Sequence, residues 1–519
     1  MALAGALVLA TPMHYRAEVH PANEAARVYA ALALVQHGTV ALDPVFDRYF
    51  PGWRAGTRPP NVDVSWGQGR YVLDKAPGVT LLAVPVVGLL HAAGMDPGDP
   101  AAFPWVLWLL TLVVVGLPSA LTAAHLGAAL AARPVAVAAL LATPWLAYGG
   151  LLFGHGLAAA LVGSGTLLSL GVPGGEASSI RRTAFGGLLL GLAVLTEYPV
   201  AVLALAVVVA MLADSTRRRR LPWLLLGALG PAASLAAWNF ACFGDPTSLS
   251  YSHKTNPEFA AVIAQGTFGV SAPSLERLAE LLAGPSRGLL HLAPWLVAGL
   301  IGAVAAARDR SLAVAWRVML PLACLGFPVV ISGFVDWRAG DSMGPRHLVP
   351  VIPLLGLAAA LVLRDRPRLA ATTWALVASS AALCVVGAWA YPYFPASVKN
   401  PLFEVVVPVL LDGGAPPAAM DALLPPPLGL ACGLLALVAL LGPPAVRSLR
   451  ALPHVAVVLV LGLAFAVAHI AAAMLPETGG PEGERAVLQA RAAALDVLGH
   501  EAQAREIRKT LRSRPPAGP

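Results

Sequence analysis

The chain has 519 residues, of which 57% are hydrophobic and only 12% charged, with a mean hydropathy of +0.72; this excludes a soluble globular protein. Apolar runs long enough to cross a hydrocarbon core recur along it, so the class is a polytopic helical membrane protein. The formal charge of +7 comes largely from short basic loops, which bears on topology and gives no case for a nucleic-acid partner.

An apolar run at 1–13 is short of the about 20 residues that a span needs. No basic stretch precedes it as in a signal peptide, and it reads as a first span shortened by choice of start site or completed by bilayer thinning. The polar stretch 14–78 reads as an external first loop. Within it, Asn23 to Gln36 has the periodicity of an amphipathic helix lying along the membrane surface. Segment 79–94 follows as a re-entrant or half-inserted helix. The expected spans are then 103–124, 134–150, 151–170, 184–213, 221–243, 286–307, 316–334, 348–363, 370–390, 428–446 and 451–475, in a bundle of about 11–14 crossings. The organisation expected is a transmembrane domain over 1–475 and a C-terminal helical tail over 476–519. The stretch 484–512 reads as a mixed-charge, solvated helix packing on the external face. Cys242, Cys324, Cys384 and Cys432 all sit in apolar segments and read as small buried hydrophobes, not as disulfides or a zinc site.

Orientation follows from the basic turns. Arg181-Arg182, Arg217 to Arg220, Arg308 and Arg310, Arg364, Arg366 and Arg368, and Arg447 and Arg450 mark one face as cytoplasmic. Segment 184–213 has basic clusters at both ends, so it is expected to fold back at Thr196-Glu197-Tyr198-Pro199, with Pro199 opening the second helix. An odd number of crossings must separate the first loop from Arg181, which is why 79–94 is expected not to cross. The opposite, external face then collects His20, Glu24, Arg27, Asp74, Lys75, Glu197, Asp245, Tyr251, His253, Lys254, Arg287, Asp336, Arg338, Asp341, Arg346 and His347. An acid among several cations at a membrane surface suits a lipid-anchored, phosphorylated substrate: the cations neutralise the departing phosphate and the acid takes a proton from an incoming hydroxyl. His20 and Glu24, at i and i+4, are a possible pair of metal ligands without a third, so no metal or other cofactor is expected.

The ordered motifs carry a resemblance. Asn23-Glu24-Ala25-Ala26-Arg27 with Gly38-Thr39-Val40-Ala41-Leu42-Asp43, then Gly69-Arg70-Tyr71 with Asp74-Lys75-Ala76-Pro77-Gly78, lie in the first loop. Leu195-Thr196-Glu197-Tyr198, Gly284-Pro285-Ser286-Arg287-Gly288-Leu289, and Trp337 through Gly344-Pro345-Arg346-His347-Leu348 follow in order. Together they resemble the motifs of bacterial GT-C-type membrane glycosyltransferases, related to protein O-mannosyltransferases and lipid A aminoarabinose transferases. The resemblance covers residues 15–360. The chain departs from it at Asn23, where the family usually has Asp, at His347, where Tyr is commoner, and at Ala339, which interrupts the usual Gly pair.

The resemblance implies an inverting transferase that moves a monosaccharide from a polyprenyl-phosphate donor to an acceptor at the external face of a bacterial cytoplasmic membrane. The acceptor could be a glycolipid, a cell-envelope polymer or a protein. On this reading Glu24 is the general base; Lys75, Arg287 and Arg346 hold the donor phosphate; and Arg27, Asp74, Glu197, Tyr251, His253, Trp337, Asp341 and His347 complete the substrate site. The alternatives from other classes are a lipid-linked sugar flippase or transporter, and a non-catalytic relative that binds polyprenyl lipids.

The topology is directly testable. In a cysteine-free background, Arg48→Cys, Lys254→Cys and Asp341→Cys should each label with an impermeant thiol reagent in intact cells, and Arg218→Cys only after lysis. Labelling of positions 48 and 341 from opposite sides would separate the acid from the phosphate clamp and end the transferase reading.

Overall fold

The computed structural model describes residues 2–15, 22–56, 58–364, 366–413, 418–419, 428–450 and 480–513; the expected span 451–475 and His20 lie outside the described residues. The protein is an all-α, polytopic membrane fold, with one small β-hairpin in the first loop.

Helix α1 (Ala2–Ala10) is a short apolar element that packs Leu9 against Gly149. Helix α2 (Ala22–His37) is buried continuously from Glu24 to Ala33. This corrects the expectation of a one-sided surface helix. Ala25, Ala26, Ala30, Ala31 and Ala33 are small enough to let neighbours approach from every side. Helix α3 (Gly78–Ala92) runs alongside α2. The Thr80 hydroxyl donates to the Arg27 carbonyl at its start, and beyond its end Asp96 accepts from Gln36 and Arg48. Both ends of α3 therefore meet the segment that precedes it, as the expected re-entrant helix requires.

Helix α4 (Phe103–Ala129) is the first full crossing. The return, expected as one span over 134–150, is instead broken. Helix α5 (Arg133–Leu141) stops where the Thr143 hydroxyl bonds the Ala139 carbonyl and Pro144 follows, and a short turn, Trp145–Gly149, completes the passage. Helix α6 (Gly154–Leu170) then descends. Helix α7 (Ile180–Thr196) ends where Glu197 takes extended backbone angles (φ −147, ψ 112), and α8 (Ala201–Ala213) returns. The Arg217 guanidinium just beyond α8 donates to the Leu170 carbonyl at the end of α6, 2.7 Å away, so α7 and α8 begin and end on the same face. The fold-back expected at Thr196–Pro199 is present.

Helix α9 (Leu221–Phe243) leads back and closes on Gly244, whose φ of +77 is the usual left-handed helix stop. The later helices are α10 (Val297–Arg308), α11 (Val314–Ile331), α12 (Arg346–Leu363), α13 (Pro367–Ala390) and α14 (Leu428–Arg450), of which α11, α12 and α13 are long and apolar enough to cross a membrane. Two close approaches set helix spacing. A Cβ at Gly227 would meet the Ala184 carbonyl of α7, and one at Gly302 would meet the Ala358 carbonyl of α12.

The loops of one face converge. Strands β1 (Val64–Gly67) and β2 (Arg70–Leu73) pair Val64 with Leu73 and Gly67 with Arg70 around a Gln68-Gly69 turn, both at positive φ as a two-residue hairpin requires. The hairpin docks on the end of α9: Arg70 donates to the Ala241 carbonyl at 2.7 Å and the Ser65 hydroxyl to the Ser250 carbonyl at 2.9 Å. The loop before α12 joins the same side, where the Ser271 amide donates to Gly333 at 2.7 Å. The tail is two helices, α15 (Pro481–Leu498) and α16 (Glu501–Ser513), bent at Gly499 (φ +86). Its expected single solvated helix is thus corrected. Ala490, Ala494, Leu495 and Leu498 are buried, and Arg491 donates to the Glu404 carbonyl at 2.8 Å.

Gly227→Ala should force α7 and α9 apart and lower unfolding stability by about 1–3 kcal/mol. Gly230→Ala, three residues on, meets nothing within 4 Å and should be neutral or gain about 0.5–1 kcal/mol. Thermal unfolding of the two purified variants in one detergent separates these outcomes.

Candidate functional site

Where the loops converge they enclose a cavity of about 640 Å³. One wall is apolar, made by Phe259, Val262, Ile263, Phe268 and Phe334. The other carries Arg27, Lys75, Lys254 and Arg346 among the carboxylates of Asp63, Glu197, Asp336, Asp341 and Asp496. Of the residues expected at a substrate site, Arg27, Lys75, Glu197, Tyr251, Asp341, Arg346 and His347 line this cavity. Glu24, Asp74, His253, Arg287 and Trp337 do not.

The first loop contributes a buried run of alternating charge. Lys75 Nζ lies 3.0 Å from Asp63 and 3.0 Å from Asp74, and Lys254 Nζ lies 2.7 Å from the other oxygen of Asp74. Burial alone would push the Asp74 carboxyl up, but the two ammonium groups more than offset it and hold it below its ordinary value. Burial likewise works against the Lys75 charge, and Asp63 and Asp74 overcome it, leaving that lysine above its ordinary value. Asp74 therefore works from beneath, fixing two lysines that face the cavity. Asp63 was not singled out in the sequence, because nothing local marks an acid whose partner stands twelve positions on.

Arg27, on α2, donates to the Asn23 side chain at 3.2 Å and to the Ala76 carbonyl at 3.4 Å, and pairs with Glu197 at 3.5 Å. Asn23 thus orients the arginine from the position where the resembled family usually has an acid. Glu197, freed by the helix break, also lies 3.7 Å from His155 Nδ1. Gly154 leaves the room it occupies, since a Cβ there would strike the Glu197 carboxylate.

Arg346 differs from the other cations. It stands over the Phe153 ring at 5.7 Å, and its side chain has no ion pair and no hydrogen bond among the described residues. His347 beside it packs its ring on Phe334 and edge-on to His155, each with centroids 5.3 Å apart. Tyr251 lies beneath Lys254, whose ammonium is 5.3 Å from the ring centre.

Arg287, expected on the phosphate, is fully buried and directed at backbone. It donates to the carbonyls of Arg338 (3.2 Å), Gly340 (2.9 Å), Phe394 (2.9 Å) and Ser286 (3.3 Å). Four of its five N–H donors are thus engaged by backbone carbonyls, two of them in the Arg338–Gly340 turn. The turn needs such a clamp, because Ala339 (φ +59) and Gly340 (φ +65) both take left-handed backbone, which costs an alanine about 1 kcal/mol. Asp341 follows at the rim and accepts from the Ala396 amide at 3.0 Å. Trp337 lies beside this turn, under Arg338 with 4.9 Å to its ring centre, and His253 is stacked on Phe243 at 4.3 Å. Neither lines the cavity.

Glu24 is the deepest of the expected residues. Its Oε1 accepts hydrogen bonds from Tyr15 (2.9 Å) and Tyr393 (3.2 Å), while Oε2 is buried without a partner. Tyr15 is in turn held 3.1 Å from the Thr111 hydroxyl. Burial raises the Glu24 carboxyl to about 8, against the opposing effect of the tyrosine hydroxyls and Arg27. Of the two tyrosines, Tyr393 lines the cavity. The tail adds Ala493, Asp496 and Val497 to the lining, with Asp496 held by Arg508 on α16.

No family model and no curated protein matches the chain. Two solved structures are similar to it. ArnT from Cupriavidus metallidurans in the apo state is 18% identical, with 92% of this chain and 76% of that one covered and a TM-score of 0.43. The same protein bound to undecaprenyl phosphate is 16% identical, with 95% and 78% covered and a TM-score of 0.45.

Arg287→Ala strands several buried carbonyls and should cost about 3 kcal/mol or more of stability. Arg346→Ala, which removes no internal hydrogen bond, should leave the melting temperature of the purified protein within the scatter of surface substitutions. Equal losses in the two would mean that Arg346 is also a structural clamp.

Proposed function

We propose that the protein is a membrane glycosyltransferase that uses a polyprenyl-phosphate-linked monosaccharide at the external face of a bacterial cytoplasmic membrane. The observation that carries this reading is Arg346: a guanidinium that forms no ion pair among the described residues, in a cavity whose other cations are already paired with carboxylates. A phosphate with a long apolar chain fits both the free cation and the apolar wall. Lys75 adds a second positive group on the same lining, and Arg287 acts at one remove by holding the turn that carries Asp341.

In the transfer, the bond from the anomeric carbon to the phosphate oxygen breaks as the acceptor oxygen attacks from the opposite side. The polyprenyl phosphate leaves with the bonding electrons, and Arg346 and Lys75 balance its growing charge. The acceptor must lose a proton. Glu24 cannot touch it directly, since the carboxylate lies behind the cavity wall, but Tyr393 lines the cavity and donates to Glu24 Oε1. The acceptor proton passes to the Tyr393 oxygen as the phenol proton passes to Glu24. Glu24 then serves as the proton sink and Tyr393 as the group in contact with substrate.

A sink must be ionised before it can accept. With its carboxyl raised to about 8, transfer should increase with pH and level off above that value. Glu24→Gln keeps the tyrosine contacts but removes basicity; it should lower turnover by ~100-fold or more and abolish the pH limb. Tyr393→Phe should give the same pair of effects with donor KM little changed. Arg346→Ala should instead weaken polyprenyl-phosphate binding by roughly tenfold or more. Near-normal turnover in Glu24→Gln together with unaltered binding in Arg346→Ala would defeat the proposal.

A further inference from the structure

The opposite, basic face carries a second cavity, of about 730 Å³, between the end of α8 and the start of α11. Arg217, Arg220, Arg310 and Arg317 line it together with the carboxylates of Asp214 and Glu176. The positive-inside bias explains why arginines gather on such a face, but it predicts solvated side chains. Arg217 is instead only 4% exposed. Its Nε donates to the Leu170 carbonyl at 2.7 Å and its Nη1 to Asp214 at 3.0 Å, while Nη2 is buried without a partner. Arg220 also leaves a buried nitrogen, Nη1, unpartnered.

Asp214 has no capacity left to satisfy these donors. Its oxygens already accept from the amides of Thr216 (3.1 Å), Arg217 (3.0 Å) and Ala315 (3.3 Å) as well as from the Arg217 guanidinium. Arg220, Arg310 and Arg317 form no ion pair among the described residues. Buried guanidinium donors without acceptors are rare unless a ligand supplies the acceptors, and a planar fork of N–H groups matches phosphate oxygens. We propose that this groove binds a phosphate group, carried either by an anionic phospholipid headgroup or by a free phosphate compound. Arg217 forms its floor, and Arg220 and Arg310 close on it from the two connecting loops.

Arg218 and Arg219 belong to the same basic run but are exposed and do not line the groove, which provides an internal control. The full chain is reconstituted in phosphatidylcholine nanodiscs doped with phosphatidylglycerol, and bound phosphatidylglycerol is counted by native mass spectrometry. Arg220→Ala with Arg310→Ala should weaken its retention by ~30-fold, and Arg317→Ala alone should weaken it in the same direction. Arg218→Ala with Arg219→Ala should change it less than twofold. In undoped nanodiscs, stabilisation of the wild type by inorganic phosphate that is lost in the Arg220/Arg310 variant would assign the free-phosphate source. Equal losses in the two pairs would reduce the effect to surface charge, and absence of both phosphatidylglycerol retention and phosphate stabilisation would remove the site; either result overturns the proposal.

Discussion

Four charges taken out of water in a row, Asp63, Lys75, Asp74 and Lys254, hold the cavity together. Each ion stripped of its hydration costs several kcal/mol unless partners replace the lost water. Here the signs alternate, so Lys75 has a carboxylate on each side and Asp74 has an ammonium on each side. The run can close only when the first loop, which brings residues 63–75, meets the loop after α9, which brings Lys254. The β-hairpin docked on Ala241 and Ser250 sets that meeting. Breaking one member would leave its neighbour buried and unmatched, so the pairing specifies the geometry of the wall more than it adds stability.

The same charge matching decides which group is left for a ligand. Arg27 is answered by Glu197, Arg287 by four carbonyls, and the two lysines by Asp63 and Asp74. Asp336 and Asp341 are each engaged by a backbone amide. Arg346 is left with an aromatic face and open cavity, so an incoming anion is not required to displace an internal partner to reach it.

Hydropathy made the long apolar helices legible, and the arginine turns made the fold-back at Glu197 legible, because those features follow from local length and charge. The break of the 134–150 segment was signalled by Thr143-Pro144 but outweighed by its apolar length. The Gln68-Gly69 turn is marked in the sequence by its glycine alone, since a four-residue strand carries little periodic signal. Arg287 shows the limit of reading motifs. An arginine beside glycines at a helix entry looks the same whether its fork faces phosphate or carbonyl oxygens, and three of the four carbonyls that claim it come from 51 to 107 positions away. The packing of the tail is hidden for a related reason: alanines spaced along a charged helix do not reveal which surface they will cover.

Glu24 joins these strands. Its helix was expected at the surface, where a carboxylate would be wet and its basicity ordinary. The alanines of α2 draw it instead into the interior, and the dry setting raises its carboxyl to about 8. Burial makes it a stronger base once ionised but removes it from direct contact with any substrate. The cost is offset by two phenols, one 9 residues away and anchored through Thr111, the other 369 residues away on the far rim of the cavity. Tyr15 fixes the carboxylate in place, and Tyr393 connects it to the cavity. If proton transfer runs through Tyr393, the segment after α13 is as much a part of the chemistry as the first loop, although it carries no acid of its own in contact with Glu24. The base and its outlet would then be encoded at opposite ends of the chain and meet only when the loops of this face have closed.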